Sequence, residues 1–108
     1  MYNVIKKHFK SHTIMLLTKD EIKSALPQLN NWKLLDDCIE KKFVFTDFLE
    51  AMKFMNAIAT IAEEMQHHPE WCNVYNKVTV TLTTHDAGGI TQKDITLAKK
   101  MDEIENSI

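Results

Sequence analysis

Three histidines stand within residues 63–94, the segment of this chain whose side chains could do chemistry. His67 and His68 are adjacent and precede Pro69, while His85 follows a run of alternating apolar residues. Imidazole is the side chain that takes up and releases a proton near neutral pH. No neighbouring residue has the setting of an activated nucleophile. The segment therefore predicts proton transfer.

A carboxylate is spaced to orient one of these rings. Glu63 precedes His67 by four residues, so on a helix the two side chains would share a face and form a charge-assisted hydrogen bond. Because Pro69 disfavours helical geometry at the residue before it, we expect the helix to end near His67 or His68 and to present both rings there. His85 is the complementary acid or base if its strand end meets this helix end.

Each of these residues also has an ordinary structural interpretation. Taken singly, His68 is a surface residue, Glu63 a charge on a helix surface and Trp71 a core residue. Asp94 is an acid in the first turn of a helix, where the dipole favours it. The functional hypothesis depends on their combination.

A catalytic zinc site is the competing interpretation, because three histidines can supply ligands with water in the fourth position. It is less favoured, since the sequence lacks HExxH and has no cysteine at ligand spacing. Two adjacent histidines on helical backbone would also project in different directions. No glycine-rich phosphate-binding loop is present either.

Composition limits the classes of function. The 108 residues suffice for one ordinary domain, and a net charge of -2 argues against direct nucleic-acid binding, which needs a basic surface. No apolar run approaches the roughly 18 residues that span a bilayer. Cys38 and Cys72 lack the spacing of a redox or metal motif. We expect a reducing, cytoplasmic setting without membrane association.

The first residues differ in character from the rest. Residues 1–14 carry three lysines and no acidic residue, a faint likeness to an organelle transit segment. We expect 1–15 to be a variable N-terminal extension and 16–108 to be a single domain. The nucleus or an organelle is the less favoured location.

The first half of the chain predicts a helix and a hairpin. Thr18 with Glu21 forms a capping box for a short helix that Pro27 stops. Two β-prone runs, 32–35 and 39–45, are separated by two aspartates and read as a hairpin.

A long helix over 47–66, capped by Thr46, is expected next. Its predicted apolar stripe comprises Phe48, Met52, Met55, Ala59 and Ala62, with Ala51, Ile58, Ile61 and Met65 beside it. Residues 72–84 alternate, and their length predicts two strands with a turn at 76–77. The apolar side of these strands is predicted to comprise Val74, Val78, Val80 and Leu82.

A last helix follows two glycines that break the chain, and it begins where Thr91 precedes Asp94 by three residues. The order is helix, two strands, helix, two strands, helix. This order predicts an α+β domain with helices packed on one face of an antiparallel sheet.

One segment carries a family resemblance. Its matching residues are Glu63, His67, His68, Pro69 and Trp71, followed by Asn73, Val74, Tyr75, Asn76, Thr84, His85, Gly89 and Asp94. In this pattern the chain closely resembles the pterin-4a-carbinolamine dehydratases, over roughly residues 18–106. The resemblance implies a four-stranded antiparallel sheet with helices on one face, assembled as a homodimer or homotetramer.

The resemblance also implies a reaction, the loss of water from 4a-hydroxytetrahydrobiopterin to give a quinonoid dihydropterin during tetrahydrobiopterin recycling. An acid must protonate the departing oxygen and a base must take the proton from N5. His67 and His85 match this acid and base, in either order, and His68 matches a residue that binds and polarises the pterin. Because the pterin is the substrate, we expect no metal and no organic cofactor.

Further roles are implied by the same pattern. Glu63 and Asp94 match acidic groups that orient the histidines. The implied pterin contacts are Gln66, His67, His68, Thr83, Thr84 and His85, with Trp71 as an aromatic wall. Gln66 replaces an acidic residue often found there in the family.

A second class of function remains, because some animal members of this family bind a homeodomain transcription factor and stabilise its dimer. The alternative is therefore a non-catalytic module that stabilises a partner protein dimer. Neither reading requires direct contact with nucleic acid or a membrane.

Overall fold

A four-stranded antiparallel sheet carries helices on one face in the computed structural model, which describes residues 15–108. The elements are α1 (Lys19–Ala25), β1 (Lys33–Leu34), β2 (Ile39–Val44), α2 (Phe48–Met65), β3 (Glu70–Val74), β4 (Lys77–Leu82) and α3 (Gln92–Ser107), with 3₁₀ turns at Leu26–Gln28 and His85–Ala87. The predicted α+β class and element order are confirmed. The predictions for residues 1–14 lie outside the described residues.

The sheet has the strand order β1-β2-β4-β3, so β4 lies between β2 and β3. Alternate residues of β4 are buried against the helices, namely Val78, Val80 and Leu82. Val74 was predicted to join this apolar side but is exposed. It lies opposite Lys77 across the hairpin, on the open face, because the alternation restarts after the turn at Tyr75 and Asn76.

The core lies between the helical face of the sheet and the two long helices. Phe54 of α2 is fully buried, with its ring centroid 4.6 Å from that of Phe43 and 5.1 Å from that of Phe45. The buried residues of α2 are Ala51, Phe54, Ile58 and Ala62. The predicted stripe was therefore misplaced around the helix, since it omitted Phe54 and included the exposed Phe48.

Capping residues set where the helices begin. The α1 capping box is present, with the main-chain N–H of Glu21 donating to Thr18 Oγ1 at 3.1 Å. The prediction that Thr46 caps α2 is wrong by one residue. Asp47 is the cap, because its side chain accepts the main-chain N–H of Glu50 at 2.9 Å.

The last turns of α3 are fixed to the sheet by a buried lysine. Lys41 Nζ of β2 lies 2.8 Å from Asp102 Oδ1 and 3.0 Å from Glu105 Oε1. Trp32 Nε1 donates to the same Asp102 oxygen at 3.0 Å. These bonds satisfy a buried charge and hold the C-terminal half of α3 in place.

Among residues 15–108, every helix is too short or too polar to span a lipid bilayer.

Candidate active site

The end of α2 turns the chain into the site. Gln66 adopts a left-handed conformation with φ 53° and ψ 43°, and the N–H of His67 donates to Ala62 O at 3.0 Å. This is the αL termination of a helix, here with a non-glycine residue. The helix therefore ends at Met65, directly before the histidine pair as predicted, but the left-handed Gln66 and not Pro69 ends it. Both histidines lie just beyond the last helical residue. Gln66 Nε2 also donates to the carbonyl of Glu63 at 2.9 Å.

This turn changes which carboxylate each histidine meets. His68 Nε2 lies 2.8 Å from Glu63 Oε1, and His67 Nε2 lies 2.6 Å from Asp94 Oδ1. The predicted pairing of Glu63 with His67 is wrong. It assumed helical spacing, whereas the left-handed Gln66 directs His67 inward toward α3 and returns His68 over the last helical turn.

Asp94 is fully buried and is surrounded by hydrogen-bond donors. Its Oδ2 accepts the hydroxyl of Thr84 at 2.8 Å and the main-chain N–H of Thr91 at 2.9 Å, while Oδ1 faces His67. A buried carboxylate requires such donors. An ionised carboxylate only accepts hydrogen bonds, so it pairs with the His67 tautomer that carries its proton on Nε2 and leaves Nδ1 as the acceptor nitrogen.

The third histidine is held by a tight loop after β4. The carbonyl of Thr84 accepts the N–H groups of Ala87 at 3.0 Å, Gly88 at 3.0 Å and Gly89 at 3.3 Å. Gly88 has φ +80°, a conformation that glycine adopts without strain. His85 begins the resulting 3₁₀ turn, directly after the end of β4.

A cavity of about 240 Å³ joins these elements. Its lining residues are Gln66, His67, His68, Thr83, Thr84, His85, Asp86 and Lys93. All of the expected pterin contacts except Trp71 therefore border one space. The cavity is somewhat smaller than the roughly 300–1,000 Å³ usual for ligand pockets. A larger cavity of about 400 Å³ beside α1 and α3 contains no histidine.

Trp71 does not line the histidine cavity. It lies opposite Val80 in the β3–β4 ladder and packs, half-buried, against the hydrophobic core. The expected position of Trp71 as a wall of this cavity does not match the geometry, because the pleat directs it to the face that the helices cover.

Two cavity residues and one supporting residue were missing from the sequence-based site. Asp86 follows His85 directly, and Lys93 lies in the first turn of α3 directly before Asp94. Their adjacency to motif residues was the available signal. Thr91 was expected only to begin the helix, yet its N–H also holds the carboxylate that meets His67.

The pair formed by His68 and Glu63 is exposed to solvent, with 62% of the His68 side chain and 71% of the Glu63 side chain accessible. The hydrogen bond from His68 and its charge lower the pKa of the Glu63 carboxyl below the ordinary value of 4.5. Within residues 15–108, no three or more His, Cys, Asp and Glu side chains converge as a metal site would require.

A family model described as pterin 4 alpha carbinolamine dehydratase matches residues 15–104. The chain belongs to this family. A protein of Sulfurisphaera tokodaii named as a candidate pterin-4-alpha-carbinolamine dehydratase is 53% identical over 88 residues, which cover 82% of this chain and 95% of the relative. A protein of the same name from Mesorhizobium japonicum is 55% identical over 87 residues, covering 79% and 89%. The family places the chain among the hydro-lyases.

Solved structures show the same fold. A crystal structure described as a transcriptional coactivator/pterin dehydratase from Brucella melitensis superposes with a TM-score of 0.81 at 45% identity, covering 82% of this chain and 97% of the other. A pterin dehydratase-like protein described as a RuBisCO assembly factor in the alpha-carboxysome gives a TM-score of 0.59 at 20% identity, covering 69% and 87%. This second likeness shows the fold alone.

Proposed function

We propose that this protein dehydrates 4a-hydroxytetrahydrobiopterin to a quinonoid dihydropterin by histidine acid–base catalysis, as a step of tetrahydrobiopterin recycling. The observation that carries the proposal is the buried pair of His67 and Asp94 at a cavity that His85 and His68 also line. The C4a–O bond breaks, the departing hydroxyl takes a proton and leaves as water, and N5 gives up its proton.

The two proton transfers are assigned to different histidines. His67 is the base for N5, because the buried carboxylate of Asp94 stabilises the imidazolium that forms when Nδ1 takes a proton. His85, the other histidine of the proposed proton-transfer pair, lines the same cavity and is then the acid for the departing hydroxyl. His68, with its ring held by Glu63, binds and polarises the pterin.

The remaining cavity residues shape the binding site. Gln66, Thr83 and Thr84 line the cavity where the end of α2 meets the end of β4. None of the proposed steps needs a redox partner or a metal, because the substrate itself loses both the hydroxyl and the proton.

The test is the rate at which purified protein accelerates dehydration of 4a-hydroxytetrahydrobiopterin, generated in place by a pterin-dependent hydroxylase, above the uncatalysed background. EDTA is included as a control. We expect acceleration that survives EDTA and disappears in His67→Ala. Folded wild-type protein that leaves the background rate unchanged would contradict the proposal.

A non-catalytic role is the second candidate, because the Brucella relative is described as a transcriptional coactivator as well as a pterin dehydratase. In this case the chain would stabilise a partner protein dimer through surface residues outside the cavity. The discriminating observation is a His67→Ala variant that still binds and stabilises the partner dimer when the wild type shows no turnover.

Self-association is part of the proposal, as a homodimer or homotetramer. Strand β3 is at the sheet edge, and the nearby Val74 and Tyr75 are 65% and 61% exposed. Unpaired strand edges and exposed apolar side chains favour association with another chain. Light scattering on protein eluting from a size-exclusion column measures the assembly.

We also propose a single domain over 16–108 with 1–15 as an extension, and a cytoplasmic location.

A further inference from the structure

The hydroxyl of Thr84 is already engaged inside the protein, although Thr84 borders the cavity. The side chain is buried, and Oγ1 donates to Asp94 Oδ2 at 2.8 Å. The same oxygen lies 2.8 Å from the hydroxyl of Thr91. Because a hydroxyl has one proton, Thr91 is the donor in that second bond.

These bonds converge on the carboxylate of Asp94, which joins the two threonines to the reacting imidazole. Thr91 donates to Thr84, Thr84 donates to Asp94 Oδ2, and the opposite oxygen of the same carboxylate accepts the proton of His67 Nε2. The carboxylate of Asp94 can rotate about its Cβ–Cγ bond unless hydrogen bonds hold both oxygens. Two donors on Oδ2 direct Oδ1 at the imidazole.

We propose that Thr84 is a positioning residue for the proton-transfer step, which holds Asp94 so that Oδ1 faces His67. This inference rests on the function proposed above and assigns Thr84 a role other than contact with the pterin. A neighbouring carboxylate fixes the tautomer of a histidine through such a hydrogen bond, and partners in this outer layer affect rates without touching the substrate.

The two roles of Thr84 predict different kinetics. A residue that contacts the pterin in both the ground state and the transition state contributes to KM, whereas one that orients the base contributes to kcat. Thr84→Val removes the hydroxyl at nearly constant volume. We expect kcat to fall by about tenfold with little change in KM, and Thr84→Ser, which keeps the hydroxyl, to restore kcat.

A matched control lies three residues earlier in the chain. Thr81 of β4 also donates its hydroxyl to a carboxylate, Glu40 Oε2, at 3.2 Å, but on the open face of the sheet and outside the cavity. Thr81→Val therefore removes a bond of the same kind from the same strand. We expect it to keep wild-type kcat and KM.

A second readout needs no turnover. Nitrogen NMR of histidine-labelled protein reports which ring nitrogen of His67 carries the proton and how fast that proton exchanges with water. We expect the proton on Nε2 and slow exchange in the wild type, Thr84→Ser and Thr81→Val. In Thr84→Val we expect faster exchange and a shift of the proton toward Nδ1. Thr84→Ala replaces Thr84→Val if the valine variant is not recovered folded.

The outcomes separate the two levels of the argument. A lower kcat and an altered His67 signal in Thr84→Val, both restored in Thr84→Ser, would establish the positioning role. A higher KM with unchanged kcat and an unchanged signal would overturn it in favour of pterin contact. If the wild type shows no dehydration, the proposed function fails, and the nitrogen spectra still decide whether Thr84 positions His67 through Asp94.

Discussion

Two neighbouring histidines form the same kind of pair with a carboxylate, yet their surroundings differ completely. His67 and Asp94 meet at 2.6 Å with side-chain exposures of 9% and 0%, whereas His68 and Glu63 meet at 2.8 Å with exposures of 62% and 71%. Similar distances therefore accompany opposite degrees of contact with water. The buried inner pair, His67 with Asp94, can set which ring nitrogen carries the proton. The exposed outer pair, His68 with Glu63, can only favour one position of the ring.

The physical reason is screening and satisfaction of hydrogen bonds. Water and salt weaken the attraction between exposed charges, and holding two mobile side chains together costs entropy. Asp94 is removed from water and held by Thr84 and Thr91, so its charge acts on His67 from one fixed direction. This difference leads to graded predictions for the two pairs.

The largest effect should come from the inner imidazole. We expect His67→Ala to lower the rate of pterin dehydration by about 10²-fold or more, the usual contribution of one acid or base group. His85→Ala should have an effect of the same order, because it removes the other proton-transfer group. His68→Ala, by contrast, should mainly raise KM. Steady-state kinetics of the three variants measure this, and wild-type rates in both His67→Ala and His85→Ala would reject the assignment.

Changing only the charge of the inner carboxylate should have the next largest effect. In Asp94→Asn, the amide oxygen can keep the bonds from Thr84 and Thr91 while its NH₂ group faces His67. The imidazole would then carry its proton on Nδ1 and could not accept one there. We expect kcat to fall by about 10- to 100-fold. Thermal unfolding controls for folding, and an unchanged kcat in folded Asp94→Asn would show that the carboxylate is not needed.

The matching change in the outer pair should have little effect. Glu63→Gln keeps the size of the side chain and removes its charge, and exposed ion pairs contribute little. We expect kcat within about twofold of the wild type and a modest rise in KM. Measured beside Asp94→Asn, this variant tests the comparison directly. Equal losses in both variants would mean that burial does not separate the two pairs.

The smallest effect concerns the titration of Glu63. The hydrogen bond from His68 and its charge lower the pKa of this carboxyl below 4.5 in the folded protein. The contribution of the pair to the free energy of unfolding is therefore complete above the unfolded value and is lost as the pH falls through the lowered folded pKa. Carbon NMR of the Glu63 carboxyl should show a midpoint below 4.5 that returns toward it in His68→Ala. Identical midpoints would mean that the pair does not form in solution.

The element order could be predicted because it depends on local signals. The capping boxes of α1 and α3, the β-prone runs and the paired glycines each act within a few residues. Errors arose where a local pattern had more than one solution. Threonine and aspartate are both favoured at helix caps, so the neighbours Thr46 and Asp47 could not be distinguished by type. The apolar face of α2 is so wide that its buried residues could not be chosen without the sheet that covers them.

Most of the residues that line the cavity could also be predicted, but the hydrogen bonds between them could not. Glu63 and His67 have the spacing of a helical pair, and only the left-handed conformation of Gln66 shows that they do not meet. A left-handed glutamine leaves no mark in the sequence, because its preference is set by the contacts around it. Trp71 was misplaced for a similar reason, since the strand register decides which face it occupies.

The sequence alone determined which groups are available for chemistry and the succession of helices and strands, because residue types, caps and periodicity are properties of neighbours along the chain. Tertiary structure alone decided that His67 meets Asp94, 27 residues away, with Thr84 behind it. That meeting requires the end of α2, the end of β4 and the start of α3 to converge. No local signal encodes such a convergence, since it follows from the packing of the helices on the sheet.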